Sequence, residues 1–331
     1  MAYTWGEMIA EFRALGGTAD NIVQANGSLG RGIFRIDRDK PTRLHVPANL
    51  LIPTGDIEFV DGRIEIKDSV EIGQREREFF EKYQNAFSWG IARPECAAHV
   101  EGMNNLPPDV ASALSVPSGL GGQIEEGEDV VGQWFLQSRR ISRSDKMFIM
   151  PVMDLVNHGI GVPGYNVKDG VSIGGQFSDE VLVHYCLGYP FGIFLGFGFA
   201  SPERGCFSLP AMREGSRNLI IQRNFNFKSK RSSFSVPDFK IQDDKVILSC
   251  LMIGNMKPPR LSKGIFVSIM KEAGKPNSEE EFDTLLRENR MKFLNLLEFV
   301  ESMQGELGQT LRTMIRFQFA AMSHCMGMRE L

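Results

Sequence analysis

Cysteine, histidine and tyrosine are scarce in this chain, with five of each in 331 residues. The cysteines, Cys96, Cys186, Cys206, Cys250 and Cys325, are scattered, and no two have zinc-ligand or redox spacing. That excludes a zinc module and a disulfide framework; no metal is expected, and an odd set of unclustered thiols reads as a reduced, cytoplasmic protein. A nuclear location is the alternative if the source is eukaryotic. No long uninterrupted apolar run exists, which argues against a membrane span. The first residues, Met1 to Glu7, lack a basic stretch followed by an apolar one, so no secretory leader is expected. Charge is nearly balanced at 37 basic and 41 acidic residues, net −4, which gives no general attraction to nucleic acid or anionic lipid. No internal repeat is evident.

What is present is ordinary globular material, 42% hydrophobic and 24% charged, enough for one large or two ordinary domains. Trp5, Met8, Ile9, Phe12 and Leu15 fall at helical spacing and Gly16-Gly17 stops the run, predicting a short N-terminal helix. Gly30-Arg31-Gly32 before Ile33-Phe34 reads as a tight turn entering a strand, which taken alone is only a turn signal. Thr42–Pro47 followed by Leu50–Pro53 reads as a strand ending in a turn, and Ile57–Ile66 as a hairpin around Asp61-Gly62. Phe79, Phe80, Tyr83, Phe87 and Ile91 predict an amphipathic helix from Gln74 to Ile91 whose aromatic stripe packs into a core. Gly102–Asp129, rich in Pro, Gly and Ser, reads as loop or short helical turns, and Val130–Ile141 as a helix burying Trp134 and Leu136.

Further on, Asn218–Ile253 alternates as strands through Phe225, Phe227, Phe234, Val236 and Val246-Ile247-Leu248. The basic run Lys228-Ser229-Lys230-Arg231 between them reads as a solvated hairpin tip, with a substrate or nucleic-acid patch as the alternative. Asn277-Ser278-Glu279-Glu280-Glu281 resembles a capping box ahead of a long helix through Val300. A break at Gly305–Gly308 precedes a last helix through Phe319. The order predicts an α+β fold.

The stretch from Phe148 to Phe199 is the candidate site. Two strand-like runs, Met147–Met153 and Glu180–Tyr185, flank Asp154-Leu155-Val156-Asn157-His158-Gly159, and a glycine- and aromatic-rich tail follows, Gly188 to Phe199. His158 alone is more simply a structural histidine, and Tyr185 alone an ordinary strand tyrosine.

Four pieces in order carry a resemblance. They are Gly30-Arg31-Gly32-Ile33-Phe34 with Val46-Pro47 and Leu50-Leu51-Ile52; Trp134 with Leu136-Gln137-Ser138-Arg139; Pro151-Val152-Met153-Asp154-Leu155-Val156-Asn157-His158-Gly159; and Val181-Leu182-Val183-His184-Tyr185 followed by Gly196-Phe197-Gly198-Phe199. Together they resemble SET-domain protein methyltransferases, in particular the class of the plant Rubisco large-subunit lysine methyltransferase. The match runs from about Gly17 to Phe199, and Asp-x-x-Asn-His is its specific part. The resemblance implies small curved β-sheets with a threaded, knot-like C-terminal segment, a helical insertion and a helix-rich C-terminal domain. On that plan residues 1–73 hold the N-terminal helix and first part of the core, 74–130 the insertion, 131–205 the second part, and 206–331 a substrate-binding domain.

It also implies S-adenosylmethionine as cofactor and a protein as partner, methylated on lysine, with histidine as a close variant. Gly30, Arg31, Gly32, Arg139, Asp154, Asn157, His158 and Phe197 would surround the cofactor, Arg139 pairing with its carboxylate and Asn157 with its amino-acid part. Tyr185 would sit at the methyl-transfer channel and Tyr165 would line it. The chain departs from the family pattern in two places. Phe197 stands where a tyrosine is usual, and Gly188-Tyr189-Pro190-Phe191 replaces a loop that usually carries Ser-Asn. The connection from Gly159 to Tyr185 is also short. The alternative reading is therefore a catalytically weak or inactive module that holds peptide or cofactor.

Overall fold

The computed structural model describes residues 3–114, 129–144, 146–185, 190–200, 205–209, 211–213, 218–221, 237–243, 245–249, 251–255, 261–275 and 277–326. The chain divides into two compact units, Met1–Val100 with Gln123–Leu187, and Glu101–Gly122 with Gly188–Leu331.

The first unit begins with α1 (Trp5–Ala14), held at its start by a reciprocal capping box. Thr4 Oγ1 accepts from the Glu7 amide at 3.3 Å, and Glu7 Oε2 accepts from the Thr4 amide at 2.8 Å. Met8, Ile9 and Phe12 form its buried stripe. There follow β1 (Thr18–Asp20), β2 (Ile22–Gly27), β3 (Gly30–Arg35), β4 (Thr42–Val46), β5 (Ile52–Pro53), β6 (Ile57–Val60) and β7 (Arg63–Ile66). Next come α2 (Gln74–Phe87), α3 (Trp89–Asn104), whose last residues fall in the second unit together with α4 (Pro108–Leu114), and α5 (Val130–Arg139), then β8 (Arg140–Arg143), β9 (Lys146–Ile149), β10 (Asn157–His158), β11 (Val171–Gly175) and β12 (Leu182–Val183).

These strands make several small sheets rather than one large one. β4 is central between β1 and β11, β9 lies between β5 and β8, β2 pairs with β3, and β6 with β7. β10 and β12 pair in parallel. The short connection from Gly159 to Tyr185 thus still contains a strand, β11, which joins the sheet of β1 and β4. The predicted hairpin is present, with Asp61 and Gly62 both at positive φ, +50° and +76°.

Phe79 of α2 stacks on Phe12 of α1 with ring centroids 5.9 Å apart, and Tyr83 and Phe87 continue the stack. With Ile33, Leu44, Val152, Val156, Val181 and Val183 they form one buried cluster. α2 thus packs into this unit's core. A second cluster joins Ile57, Ile64, Phe80, Trp89, Phe135 and Ile149. Trp134 is half-buried, while Phe135 and Leu136 are buried.

One helix prediction needs correction. The helix expected from Gln74 to Ile91 breaks at Ser88 (φ −117°, ψ −89°) and restarts as α3. A tertiary partner takes the last carbonyls of α2, as described below. The segment after Gly102, expected as loop or short helical turns, carries the end of α3 and the short α4, which starts on proline, a residue suited to a first helical position. Residues 115–128 lie outside the described residues.

The second unit contains α6 (Pro190–Phe197), β13 (Gly205–Phe207), β14 (Ala211–Arg213), β15 (Asn218–Ile221), β16 (Phe239–Gln242), β17 (Lys245–Leu248), β18 (Met252–Asn255), α7 (Leu261–Glu272), α8 (Glu279–Glu301) and α9 (Gly305–Cys325). One sheet has the order β14-β15-β17-β16, and β13 pairs with β18. Phe266, Phe282, Leu285, Phe293, Leu311, Met314 and Ile315 are buried. Gln318 of α9 satisfies β13 as another strand would: its Oε1 accepts from the Phe207 amide at 3.1 Å and its Nε2 donates to the Gly205 carbonyl at 2.9 Å. The expected chain break lies at Ser302–Gln304, so Gly308 is inside α9. Phe225, Phe227, Phe234, Val236 and the basic run 228–231 lie outside the described residues. No helix among the described residues is long and apolar enough to cross a membrane.

The expected capping box at Asn277–Glu281 does not form. Ser278 is the residue before α8, but its hydroxyl makes no capping bond and is buried without a hydrogen-bond partner. Capping stabilises only where the oxygen reaches a helix amide. Thr4→Ala is therefore expected to lower stability by about 1 kcal/mol in urea unfolding, and Ser278→Ala to leave it unchanged or slightly raised. Equal losses for the two would contradict this assignment.

Candidate active site

The site is assembled on the loop from Val152 to His158. Val152 has φ +69°, a conformation costly for a β-branched residue, by about 1–3 kcal/mol. The bend turns the chain into a single 3-10 turn, Met153–Leu155, and fully buries the Val152 side chain.

Asp154 is buried, and its carboxylate accepts hydrogen bonds from the Tyr83 hydroxyl of α2 and, at 2.5 Å, from the Ser88 hydroxyl beyond it. Burial, followed by the Asp154 charge, raises the Tyr83 pKa and keeps this hydroxyl a donor. The Asp154 backbone carbonyl accepts from Arg139 Nη1 at 2.6 Å, and the Arg139 guanidinium lies over the Phe135 ring at 5.0 Å. Arg31, on β3, donates to the Phe87 carbonyl at 2.5 Å and the Ser88 carbonyl at 3.4 Å. A guanidinium suits the carbonyl end of a helix, and this contact accounts for the break between α2 and α3. Burial, with the like charge of Arg139 second, lowers the Arg31 pKa.

Asn157 and His158 form β10, and the parallel register sets Asn157 against Leu182 and His158 against Val183. This pairing brings His158 to Tyr185: His158 Nδ1 accepts from the Tyr185 amide at 3.3 Å, and the rings lie 5.4 Å apart. An accepting Nδ1 places the proton of the neutral imidazole on Nε2. His184 lies 5.2 Å from the same ring. Desolvation, helped by His184, pushes the His158 pKa down to about 4, so the ring is neutral at pH 7.

The Tyr185 hydroxyl donates to the Val156 carbonyl at 2.6 Å. Burial is the largest cause of its raised pKa, and the carboxylates of Asp154 and Glu180 act in the same direction. Tyr165 stacks on Tyr185, with centroids 6.5 Å apart and an interplanar angle of 12°. A bridge between Gly164 and His184, closed by the His184 amide on the Pro163 carbonyl at 3.0 Å, puts Tyr165 there.

The glycines of β3 have separate roles. Gly30 follows the two-residue turn of the β2–β3 hairpin at φ +85°, is exposed, and has nothing within 4 Å of a built Cβ. Gly32 is buried, and a Cβ there would lie 2.5 Å from Glu180 Oε1 and 2.7 Å from Asn157 Nδ2. Those two side chains lie against Gly32 because it has none. Asn157 Nδ2 donates to Glu180 Oε1 at 2.7 Å and to the Arg31 carbonyl at 3.2 Å.

Of the residues expected at the site, Gly30, Arg31, Gly32, Arg139, Asp154, Asn157, His158, Tyr165 and Tyr185 all belong to the first unit. Phe197 belongs to α6 of the second, where its ring lies 6.1 Å from Phe199. The side chains of Asp154 and Arg31 hold backbone and hydroxyl groups of the fold, contacts that the sequence motifs do not convey. Glu180 was missed; its place directly ahead of the strand bearing Tyr185 was the available signal. A cavity of about 590 Å³ is lined by Lys263, Asp283, Arg287 and Cys325, all of the second unit. Among the described residues no group of three or more His, Cys, Asp or Glu could hold a metal ion.

No protein-family model and no curated protein matches the chain. Solved structures do. The chain is similar to Rubisco LSMT bound to AdoMet, at 13% identity over 97% of this chain and 90% of that one, with a TM-score of 0.48. It is similar also to the SET domain of LSMT bound to lysine and AdoHcy, at 13% identity, 96% and 89% coverage and a TM-score of 0.45.

Two predictions follow from this geometry. Tyr83→Phe removes one donor from a buried carboxylate and is expected to cost about 1.5–3 kcal/mol in urea unfolding. His158 and His99, the latter stacked on Trp134 at 4.3 Å, have pKa values pushed by burial from 6.5 down to about 4. Between those values the unfolded chain binds protons that the folded chain refuses. Stability is then full above pH 6.5 and declines as pH falls to about 4. Replacing either histidine with glutamine should flatten that part of a stability–pH profile, and an unaltered slope in both variants would refute the assignment.

Proposed function

We propose that this chain is an S-adenosylmethionine-dependent protein methyltransferase of the SET type, acting on a lysine side chain, with histidine as the close variant. The observation that carries the reading is the parallel pairing of Asn157-His158 with the strand leading to Tyr185. It brings a neutral imidazole against Tyr185, on which Tyr165 stacks, with the amide of Asn157 beside Gly32.

The residues fit the cofactor on features of this chain. Arg139 Nε is buried without a hydrogen-bond partner, a donor left over for a carboxylate. Asn157 lies against a strand stripped of side chain at Gly32. S-adenosylmethionine, when bound, supplies a methyl group on a sulfonium, open to in-line displacement by a neutral amine. The chain's task is then orientation and exclusion of water.

Tyr185 performs the orientation. Its proton is committed to the Val156 carbonyl, so its oxygen presents lone pairs. Such an oxygen accepts the N–H of an incoming amine and weak C–H contacts from a polarised methyl. The raised pKa keeps the hydroxyl neutral through the working range. Tyr165 and Tyr185 together form an aromatic wall against which a lysine's methylenes pack. An amine desolvated there loses its proton more easily, because burial disfavours the ammonium. His158, bound through Nδ1 to the Tyr185 amide, positions the tyrosine rather than moving a proton.

Incubation with methyl-labelled S-adenosylmethionine and cell extract should label a protein band, and mass spectrometry of that band should locate the methyl on lysine. Tyr185→Phe is expected to lower transfer by about 10²-fold with cofactor affinity nearly intact. Cofactor binding in calorimetry with no transfer to any protein would favour the binding-module alternative, for which the phenylalanine at 197 is the motivating observation.

A further inference from the structure

The orientation of the Asn157 amide is fixed by its neighbours. Nδ2 faces two oxygens that can only accept, the Arg31 carbonyl at 3.2 Å and Glu180 Oε1 at 2.7 Å. Both N–H bonds are thereby engaged, and the side chain has only its carbonyl oxygen to offer a ligand. Glu180 is itself set firmly. It bridges to Phe34, the Val181 amide donates to the Ile33 carbonyl at 2.8 Å, and the Arg35 amide donates to the Asp179 carbonyl at 3.0 Å. The segment is an added edge on β3, which brings the carboxylate over Gly32 and within 3.4 Å of a Cβ built on Gly27.

Glu180 is half-buried, and among the described residues it makes no ion pair. The two arginines of the site are engaged elsewhere, Arg31 on the carbonyls that end α2 and Arg139 on the Asp154 carbonyl. A partly desolvated carboxylate without a counter-charge is costly unless a cation joins it. It lies beside Asn157, the residue after the carbonyl that holds the Tyr185 hydroxyl. Consecutive Cα atoms are about 3.8 Å apart, so the carboxylate acts within roughly 10 Å of the transfer point.

We infer that Glu180 is a specificity-determining residue of this site: its carboxylate holds Asn157 as an acceptor and supplies the negative field that selects a sulfonium cofactor over its neutral thioether product. The inference rests on the cofactor reading above. Product release is eased by the same device, since the attraction ends when the sulfonium becomes a thioether. Its effect on Tyr185 is consistent with this range, because the Glu180 charge contributes to the raised pKa of that hydroxyl.

The test is calorimetric titration of the full chain and its Glu180→Gln and Glu180→Asp variants with S-adenosylmethionine and with S-adenosylhomocysteine. Glutamine keeps an oxygen to accept from Asn157 and removes only the charge. Glu180→Gln is expected to weaken S-adenosylmethionine binding by about tenfold more than S-adenosylhomocysteine binding, the size of one charge pair at this range in a protein-like dielectric. Glu180→Asp should retain most of the discrimination. Equal losses for the two ligands would mean that Glu180 only holds Asn157, and would overturn the inference. Should the glutamine variant not fold, the wild type still decides: it must bind the sulfonium ligand several-fold more tightly, and equal affinities overturn the assignment. Binding of neither ligand by the wild type overturns the cofactor reading itself, which separates the two failures.

Discussion

A buried carboxylate organises this unit. Asp154 receives the hydroxyls of Tyr83 and Ser88, while its own carbonyl receives Arg139. A charge out of water is tolerable only where donors replace the lost solvation. Meeting that condition draws α2, the break after it, α5 and the loop of Val152–His158 to one point. The aromatic stripe of α2 then has only one place to pack, against α1, and Arg31 closes the end of the same helix. The strained backbone at Val152 is sustained by this convergence, because the carboxylate and the buried valine both require the bend.

The site around it is built by leaving specific lone pairs and donors available. Tyr185 has given its proton to Val156 and Asn157 has given both N–H bonds to Arg31 and Glu180, so both present oxygen. His158 is neutral and accepts a backbone amide. Arg139 Nε is a buried donor with no hydrogen-bond partner. An array of acceptors with one cationic donor suits a ligand carrying positive charge at its reacting end and a carboxylate elsewhere, the charge distribution that the proposed function requires.

Much of the scaffold was legible from periodicity. The N-terminal helix, the hairpin at Asp61-Gly62 and the helices carrying Phe79 and Phe293 follow patterns set by neighbours in sequence. The end of α2 was not legible, because Arg31, 56 residues earlier, ends it. Nor was the failed cap at Ser278, whose serine and glutamates match a motif that the local backbone does not use, while Thr4 and Glu7 form a true one. At the site, the residue types pointed to Asn157, His158 and Tyr185, but their bonds run to residues 23 to 126 positions away.

The sequence by itself determined which residues are available: a single Asn-His pair beside two strand-like runs, glycines at 30 and 32, and no cysteine cluster for a metal. Those follow from side-chain chemistry and short-range spacing. Tertiary structure alone decided their roles. It made Asp154 and Arg31 supports, and stacked Tyr165 on Tyr185 through a bridge at Gly164. It also brought Glu180 Oε1 to 2.5 Å from where a Cβ on residue 32 would stand. The reason is physical. A hydrogen bond or a desolvated charge depends on what the fold brings within about 3 Å, and sequence spacing does not encode that distance.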